Sequence, residues 1–290
     1  MKVTLCSPQS YCAGVTNAIK IAYKAKSEHP DTPIYVLGML VHNDEVIKEL
    51  MNNGITTLYR DKKSDEALLY ELKDGSIIIF SAHGHKKNLD DIAKEKEFII
   101  YDATCPKVKK NLEMIKDELN NNHQVIYIGH KDHPEALAAL SLDNNVFFYD
   151  IKSDFNCKLI KDKSPLVINQ TTLNVDDLKQ IYIDIIVNKP KARILDEICN
   201  ATRLRQESLR LLPSDTNYIL IIGDKKSSNT NRLLEIAQSA HKDIPSYLIS
   251  DIEDIKKLDI ASNSHIVIAS GASTPQYQID KIVNYLKRLK

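Results

Sequence analysis

The chain has 290 residues, 43% apolar and 27% charged, with 39 basic side chains balanced by 39 acidic ones. Such proportions fit an ordinary globular protein of two or three folding units, and a net charge of zero excludes nucleic acid as the expected partner. Apolar runs such as 77–80 and 218–222 are strand-sized, far short of the ~18 residues of a membrane span. No signal-type segment follows Lys2, so a cytoplasmic location is expected.

In chain order, short β-rich apolar runs occur at 3–6, 34–37, 55–58, 77–80, 98–101, 125–128, 146–149, 166–168, 193–195, 218–222, 247–249 and 266–269. Between them lie stretches with helical spacing of apolar residues, such as 46–52, 111–119 and 232–240. Strands alternating with helices predict α/β architecture with mostly parallel sheets.

The runs fall into three groups of four. The first run of each group ends in glycine: Gly38, Gly129, Gly223. The third ends in a small polar cluster: Ser81-Ala82-His83-Gly84, Asn169-Gln170-Thr171-Thr172, and Ser270-Gly271-Ala272-Ser273. The fourth leads to a cysteine, Cys105 in one group and Cys199 in the next. The last group lacks a fourth run, and the N-terminal run 3–6, followed by Cys12, completes it if the termini meet. Repeats of this kind predict a trefoil of three similar α/β lobes, 13–104, 105–198, and 199–290 together with 1–12, each delivering one cysteine to a central site. Ligands of parallel sheets bind beyond the carboxyl ends of strands. Five of the eight glycines (Gly14, Gly84, Gly129, Gly223 and Gly271) lie in those strand-end clusters or just after Cys12.

There are five cysteines and no CxxC pair, which argues against a disulfide framework. Thiolates from Cys12, Cys105 and Cys199 can hold three irons of a cubane and leave the fourth open for chemistry; on spacing alone a Cys3His zinc site is the alternative. Cys6, in a strand run, and Cys157, in a loop expected across 153–158, read as small buried hydrophobes. Among the histidines, His42, His83 and His133 occupy strand ends where glycine and histidine can bind an anion. His130 is ambiguous, and His29, His85, His123, His241 and His265 have no such context. Ser227, Ser228 and Asn229 precede the helical stretch 232–240 and can present its N-terminus to an anion; Ser273 is similar. Glu135 is the carboxylate of the His133-Pro134-Glu135 cluster. It reads either as a solvated helix-start residue or as an acid beside Thr171. No GxxxxGK[ST] or GxGxxG fingerprint occurs.

The ordered set Tyr11-Cys12-Ala13-Gly14-Val15, Val41-His42-Asn43, Ser81-Ala82-His83-Gly84, Asp102-Ala103-Thr104-Cys105-Pro106, His133-Pro134-Glu135, Asn169-Gln170-Thr171-Thr172, Ile198-Cys199, Ser227-Ser228-Asn229 and Gly271-Ala272-Ser273 resembles the 4-hydroxy-3-methylbut-2-enyl diphosphate reductase (LytB) family over nearly the whole chain. The resemblance implies a trefoil around a [4Fe–4S] cluster held by Cys12, Cys105 and Cys199. It implies a substrate diphosphate held by His42, His83, His133, Ser227, Ser228, Asn229 and Ser273. Thr171 would contact the substrate's allylic hydroxyl and Glu135 would donate the proton. Two electrons, from a ferredoxin or flavodoxin, and two protons remove that hydroxyl as water, giving isopentenyl and dimethylallyl diphosphate. A divergent paralogue or a non-catalytic metal-bound sensor is the competing expectation. Departures from the family pattern cluster near the cysteines, at Gln9, Ser10, Thr16, Asn17, Asn200 and Leu204.

Overall fold

A computed structural model of the chain describes residues 1–60, 63–153 and 155–289. The strands are β1 Lys2–Leu5, β2 Ile34–Leu37, β3 Ile55–Leu58, β4 Ile77–Phe80, β5 Ile99–Asp102, β6 Val125–Gly129, β7 Val146–Asp150, β8 Leu166–Asn169, β9 Arg193–Leu195, β10 Tyr218–Ile222, β11 Ser246–Ile249 and β12 His265–Ser270. The α-helices are α1 Ala13–Glu28, α2 Asp44–Asn52, α3 Asp65–Tyr70, α4 Asn88–Glu95, α5 Pro106–Asn120, α6 Pro134–Leu140, α7 Val175–Asn188, α8 Asn200–Ser208, α9 Ser228–Ala240, α10 Ile252–Lys256 and α11 Gln276–Arg288.

Each expected group of four runs is one sheet, and every pairing is parallel. The orders are β3-β2-β4-β5, β7-β6-β8-β9 and β1-β12-β10-β11. The N-terminal strand does complete the last sheet: β1 lies on β12 with Lys2 opposite His265 and Leu5 opposite Ile268. The chain forms two compact units. One contains Met1–Val15, His42–Val46 and the chain from Cys199 on, with the β1-β12-β10-β11 sheet; the other contains Thr16–Val41 and Ile47–Ile198, with the remaining two sheets.

Central strands read as unbroken apolar runs because both faces of each sheet are covered. In β10, Leu220 and Ile222 face a cluster with Ile279, Ile282 and Leu286 of α11, while Ile219 and Ile221 face Leu233 and Ile236 of α9. In β6, Ile126 and Ile128 meet Leu178, Ile181 and Ile185 of α7, and Val125 and Tyr127 meet Ile115 of α5 and Ala136 and Ala139 of α6. Each such Ile or Leu, fully buried, contributes roughly 1.5–3 kcal/mol. No helix among the described residues is long and apolar enough to cross a membrane.

Two local expectations change. Cys157 opens a single 3-10 turn, Cys157–Leu159, rather than lying in a plain loop; residue 154 of that expected loop is outside the described residues. Cys6 falls one residue beyond β1 yet continues its pairing, its N–H donating to the Ile268 carbonyl at 2.8 Å.

Glycine is required where β10 and β12 end against α9. A Cβ on Gly223 would lie 2.6 Å from Thr230 Oγ1, and one on Gly271 would overlap the same atom. Thr230 is fully buried in the first turn of α9. Gly271→Ala should therefore cost on the order of 1–3 kcal/mol, the range for overpacking. It should appear as a lower urea midpoint at unchanged slope; a wild-type midpoint would show that Thr230 can move aside.

Candidate active site

In the two-sheet unit, the polar side chains gather beyond the carboxyl ends of β4, β5, β6 and β8. The segment after β4 is zipped to its neighbours: Ala82 N–H donates to the Leu40 carbonyl at 3.1 Å, and Cys105 N–H donates to the Ala82 carbonyl at 2.9 Å. Cys105 is thereby fixed beside His83. Gly84 turns the chain with φ +84°, a left-handed conformation that glycine adopts without strain; a Cβ there would lie 3.5 Å from Val108 and Ala138 side-chain atoms. His83, from the end of β4, meets His133, from the end of β6, with ring centroids 5.6 Å apart and edge-on. Two sheets thus deliver one histidine each to a shared spot. The Glu135 N–H donates to His133 Nδ1 at 3.2 Å, which caps α6. An accepting Nδ1 in the neutral ring leaves the proton on Nε2, so His133 is a donor on its other side.

Glu135 is not a solvated helix-start residue. It is 3% exposed, and Thr171 donates to both of its oxygens: the backbone N–H to Oε2 at 2.9 Å and the Oγ1 hydroxyl to Oε1 at 2.8 Å. Burial pushes its carboxyl up to about 7, against the pull of the Thr171 donors. The acid stands at the start of α6 and the hydroxyl at the end of β8. They meet because β6 and β8 are neighbours in one sheet.

Supporting residues hold this edge. Gln170 accepts the His130 N–H at 3.0 Å and donates to Thr172 Oγ1 at 2.8 Å. Asn169 Oδ1 accepts the Glu197 N–H at 2.9 Å and the Tyr182 hydroxyl at 3.0 Å. Glu197 also forms an ion pair with Lys107, joined by the Asn111 amide at 3.2 Å. That latch ties the first turn of α5, which Cys105 caps, to the segment leading into Cys199. It leaves no mark in the sequence, because Glu197 stands 90 residues from Lys107.

In the other unit, Cys12 precedes α1 and Cys199 caps α8. With Cys105 at the start of α5, each of the three cysteines stands at a helix N-terminus, where the dipole favours an anionic sulfur. All three are partly exposed. Cys12 N–H donates to the Ala272 carbonyl at 3.1 Å, and the Val15 N–H points at Cys12 Sγ at 3.5 Å. Cys6 is buried and donates to the Ser208 carbonyl, whereas Cys157, expected to be buried, is partly exposed because it lies in the short turn at Cys157–Leu159; desolvation pushes both thiols up. Leu204 is 43% exposed, so its departure from the family pattern faces solvent. The next residue, Arg205, is buried.

The same unit carries a second polar group. Ser227 caps α9 by accepting the Thr230 N–H at 3.3 Å. The first N–H groups of a helix have no intrahelical acceptor. Asn229, also in this first turn, is buried with neither its amide oxygen nor its nitrogen bonded. A buried amide left unsatisfied is costly, and a polar group placed beside it would remove that cost. Ser273 Oγ donates to the His42 carbonyl at 2.8 Å, and the buried Asn43 side chain accepts the N–H groups of Glu45 and Val46. His42 is thus held from both sides. The five histidines given no role have structural partners: His29 meets Tyr101, His85 Asp90, His123 Asp162, His241 the Leu209 carbonyl, and His265 both Thr4 and Asp215.

The Glu135 environment has a measurable consequence. Between about 4.5 and about 7 the folded protein retains a proton that the unfolded chain has released. Its stability therefore falls as pH rises through that window, and stays lowered above it. Glu135→Gln abolishes the dependence. Relative to wild type it should gain roughly 3 kcal/mol on going from about pH 4 to about pH 8, read from urea unfolding at each pH. A constant difference would mean that the carboxyl titrates normally.

The family profile described as LytB protein matches residues 3–287. The chain is 39% identical to the 4-hydroxy-3-methylbut-2-enyl diphosphate reductase of Wigglesworthia glossinidia brevipalpis, over 99% of this chain and 90% of that one. It is 32% identical to the enzyme of the same name from Malacoplasma penetrans (strain HF-2), over 99% and 98%. Its fold matches the structure of the E-1-hydroxy-2-methyl-but-2-enyl-4-diphosphate reductase from Plasmodium falciparum with a TM-score of 0.86 and 29% identity, covering 99% of this chain and 88% of that one.

Proposed function

Since the chain belongs to the LytB protein family, we propose that it reduces 4-hydroxy-3-methylbut-2-enyl diphosphate, removing the allylic hydroxyl as water in the non-mevalonate isoprenoid pathway. The observation that carries this reading is the buried Glu135–Thr171 pair. An allylic hydroxide leaves poorly unless it is protonated as it departs. A carboxyl raised to about 7 still holds its proton near neutrality, and the Thr171 hydroxyl beside it can orient the substrate oxygen. The products are isopentenyl and dimethylallyl diphosphate.

Binding of the diphosphate is assigned to His42, His83, His133, Ser227, Ser228, Asn229 and Ser273. These are neutral or switchable donors, which suits a chain with no net charge. The orphaned Asn229 amide supports the assignment. Oxidoreduction in this family rests on iron–sulfur chemistry, and Cys12, Cys105 and Cys199 are the residues that would hold a [4Fe–4S] cluster. Three sulfurs at three helix N-termini, with Arg205 as a buried cation near two of them, fit an anionic iron–sulfur group. Bound there, such a cluster supplies the two electrons and an open iron that acts as a Lewis acid toward the leaving oxygen. Ferredoxin or flavodoxin is the proposed donor. Lobe borders are drawn at the same cysteines, 13–104, 105–198, and 199–290 with 1–12.

Two sets of variants test the reading under anaerobic conditions. Cys12→Ser, Cys105→Ser and Cys199→Ser should each lose the iron and the visible absorption band, while Cys6→Ser and Cys157→Ser keep both. A full iron complement in any of the first three would remove that residue from the ligand set. Glu135→Gln should keep the iron and lose ~10²-fold or more in turnover, the usual scale for a positioned acid. Asp132→Asn is the control and should stay active; near-normal turnover of Glu135→Gln, or equal loss in both, would exclude Glu135 as the proton donor.

A further inference from the structure

Arg205 is a buried cation held by two backbone carbonyls. Its side chain is 2% exposed in α8. One terminal nitrogen donates to the Ala201 carbonyl at 2.9 Å, within the helix, and the other to the Ser10 carbonyl at 2.7 Å, in the loop that carries Cys12. The Nε–H is buried and meets no acceptor. Among the described residues no Asp or Glu pairs with it. Burial lowers its pKa, and the nearby Cys12 and Cys199 side chains act in the opposite direction.

This arrangement is costly by itself. A guanidinium is charged at any physiological pH, and a buried charge is tolerated only when paired. Two neutral carbonyls do not neutralise it. Two thiolates would, and Cys12 and Cys199 are the residues assigned above to the cluster. The grip on Ser10 has a second effect. Ser10 holds a left-handed conformation, φ 58°, which a non-glycine residue adopts only when its surroundings fix it. Its N–H donates to Ser270 Oγ at 3.0 Å, and Arg205 holds its carbonyl. The Cys12 loop is therefore pinned to the helix that Cys199 caps.

We propose that Arg205 is the internal counter-cation and positioning residue of the iron–sulfur site: it fixes Cys12 relative to Cys199 and places a permanent positive charge beside their sulfurs, so raising the reduction potential of the bound cluster. The potential of such clusters depends on net local charge and on hydrogen bonds to sulfur. A fixed positive charge favours the reduced, more negative state. The inference rests on the cluster assignment made above, and it concerns how readily the site accepts an electron rather than which bond is broken.

The test uses full-length protein loaded with iron and sulfide, comparing wild type, Arg205→Gln and Arg205→Lys. The readouts are the iron-to-protein ratio and a redox titration followed by visible absorbance and electron paramagnetic resonance. Arg205→Gln should keep its iron, with the reduced-to-oxidised ratio at a fixed potential lowered tenfold or more, about 59 mV for a one-electron couple. Arg205→Lys keeps the charge while losing the two-pronged grip, so its ratio should stay within about threefold of wild type. A loaded Arg205→Gln with an unmoved potential overturns the proposal. If Arg205→Gln does not fold, Arg205→Lys decides: a tenfold fall there means that geometry rather than charge is what matters, and overturns it equally. Wild-type protein that takes up no iron would overturn the cluster assignment and this inference with it, whereas a loaded wild type with unmoved variants overturns this inference alone.

Discussion

Parallel pairing sends every strand of a sheet out at the same edge, and the chemistry of this protein depends on that. Antiparallel strands would put alternate loops at opposite ends. Here the two central strands of a sheet always deliver their following loops side by side. In the β7-β6-β8-β9 sheet this brings the carboxyl of Glu135 and the hydroxyl of Thr171 into contact. In the β1-β12-β10-β11 sheet it puts the segment after β10, with Ser227 and Asn229, next to the segment after β12, with Ser273. The glycines at those ends remove side chains where backbone and helix approach most closely, as Gly223 and Gly271 do around Thr230.

Much of this was legible in the sequence because parallel strands covered on both faces are written as continuous apolar runs. The runs 34–37, 55–58, 77–80, 193–195 and 218–222 coincide with β2, β3, β4, β9 and β10. Elsewhere the error is about one residue, for a common reason. Asp102, Asp150, Asn169, His265 and Ser270 are polar yet still belong to their ladders, since strand pairing is made by the backbone. The closure of the third group by the N-terminal run was visible from strand-end chemistry alone. Less legible were polar groups whose burial is decided by distant partners. Glu135 could be read as solvated or as an acid; only the enclosure of β8 and α6 settles that it is buried. Arg205 sits in a helix, Asn200–Ser208, whose polar composition suggests solvent. Its pairing with the Ser10 carbonyl spans most of the chain.

Zero net charge conceals sharp local contrasts. At the surface, Asp215 is held down to about 2 by Lys2 and His265, but it is open to water and such pairs contribute little. Inside, each charged or polar group has a task that its neighbours define. The two Thr171 donors aim the Glu135 carboxyl, and the Glu197–Lys107 pair joins the entry to one cysteine with the helix that follows another. Burial in these places raises the cost of a missing partner, so the geometry of each group is narrowly specified.

The pairing of β1 with β12 also bears on synthesis. A chain emerges from the ribosome at about 5–20 residues per second, N-terminus first, so β1 is made long before His265–Ser270, its strand partner among the described residues. Its three sister strands cannot shelter it in the meantime, because they too lie beyond Tyr218. The contact that orders the Cys12 loop, from Cys12 N–H to the Ala272 carbonyl, is unavailable for equally long. The two-sheet unit, by contrast, draws on chain that is complete by Ile198. The nascent protein thus carries β1 without this pairing until β12 has been made, and the cysteine that this strand positions gains its lasting surroundings only then.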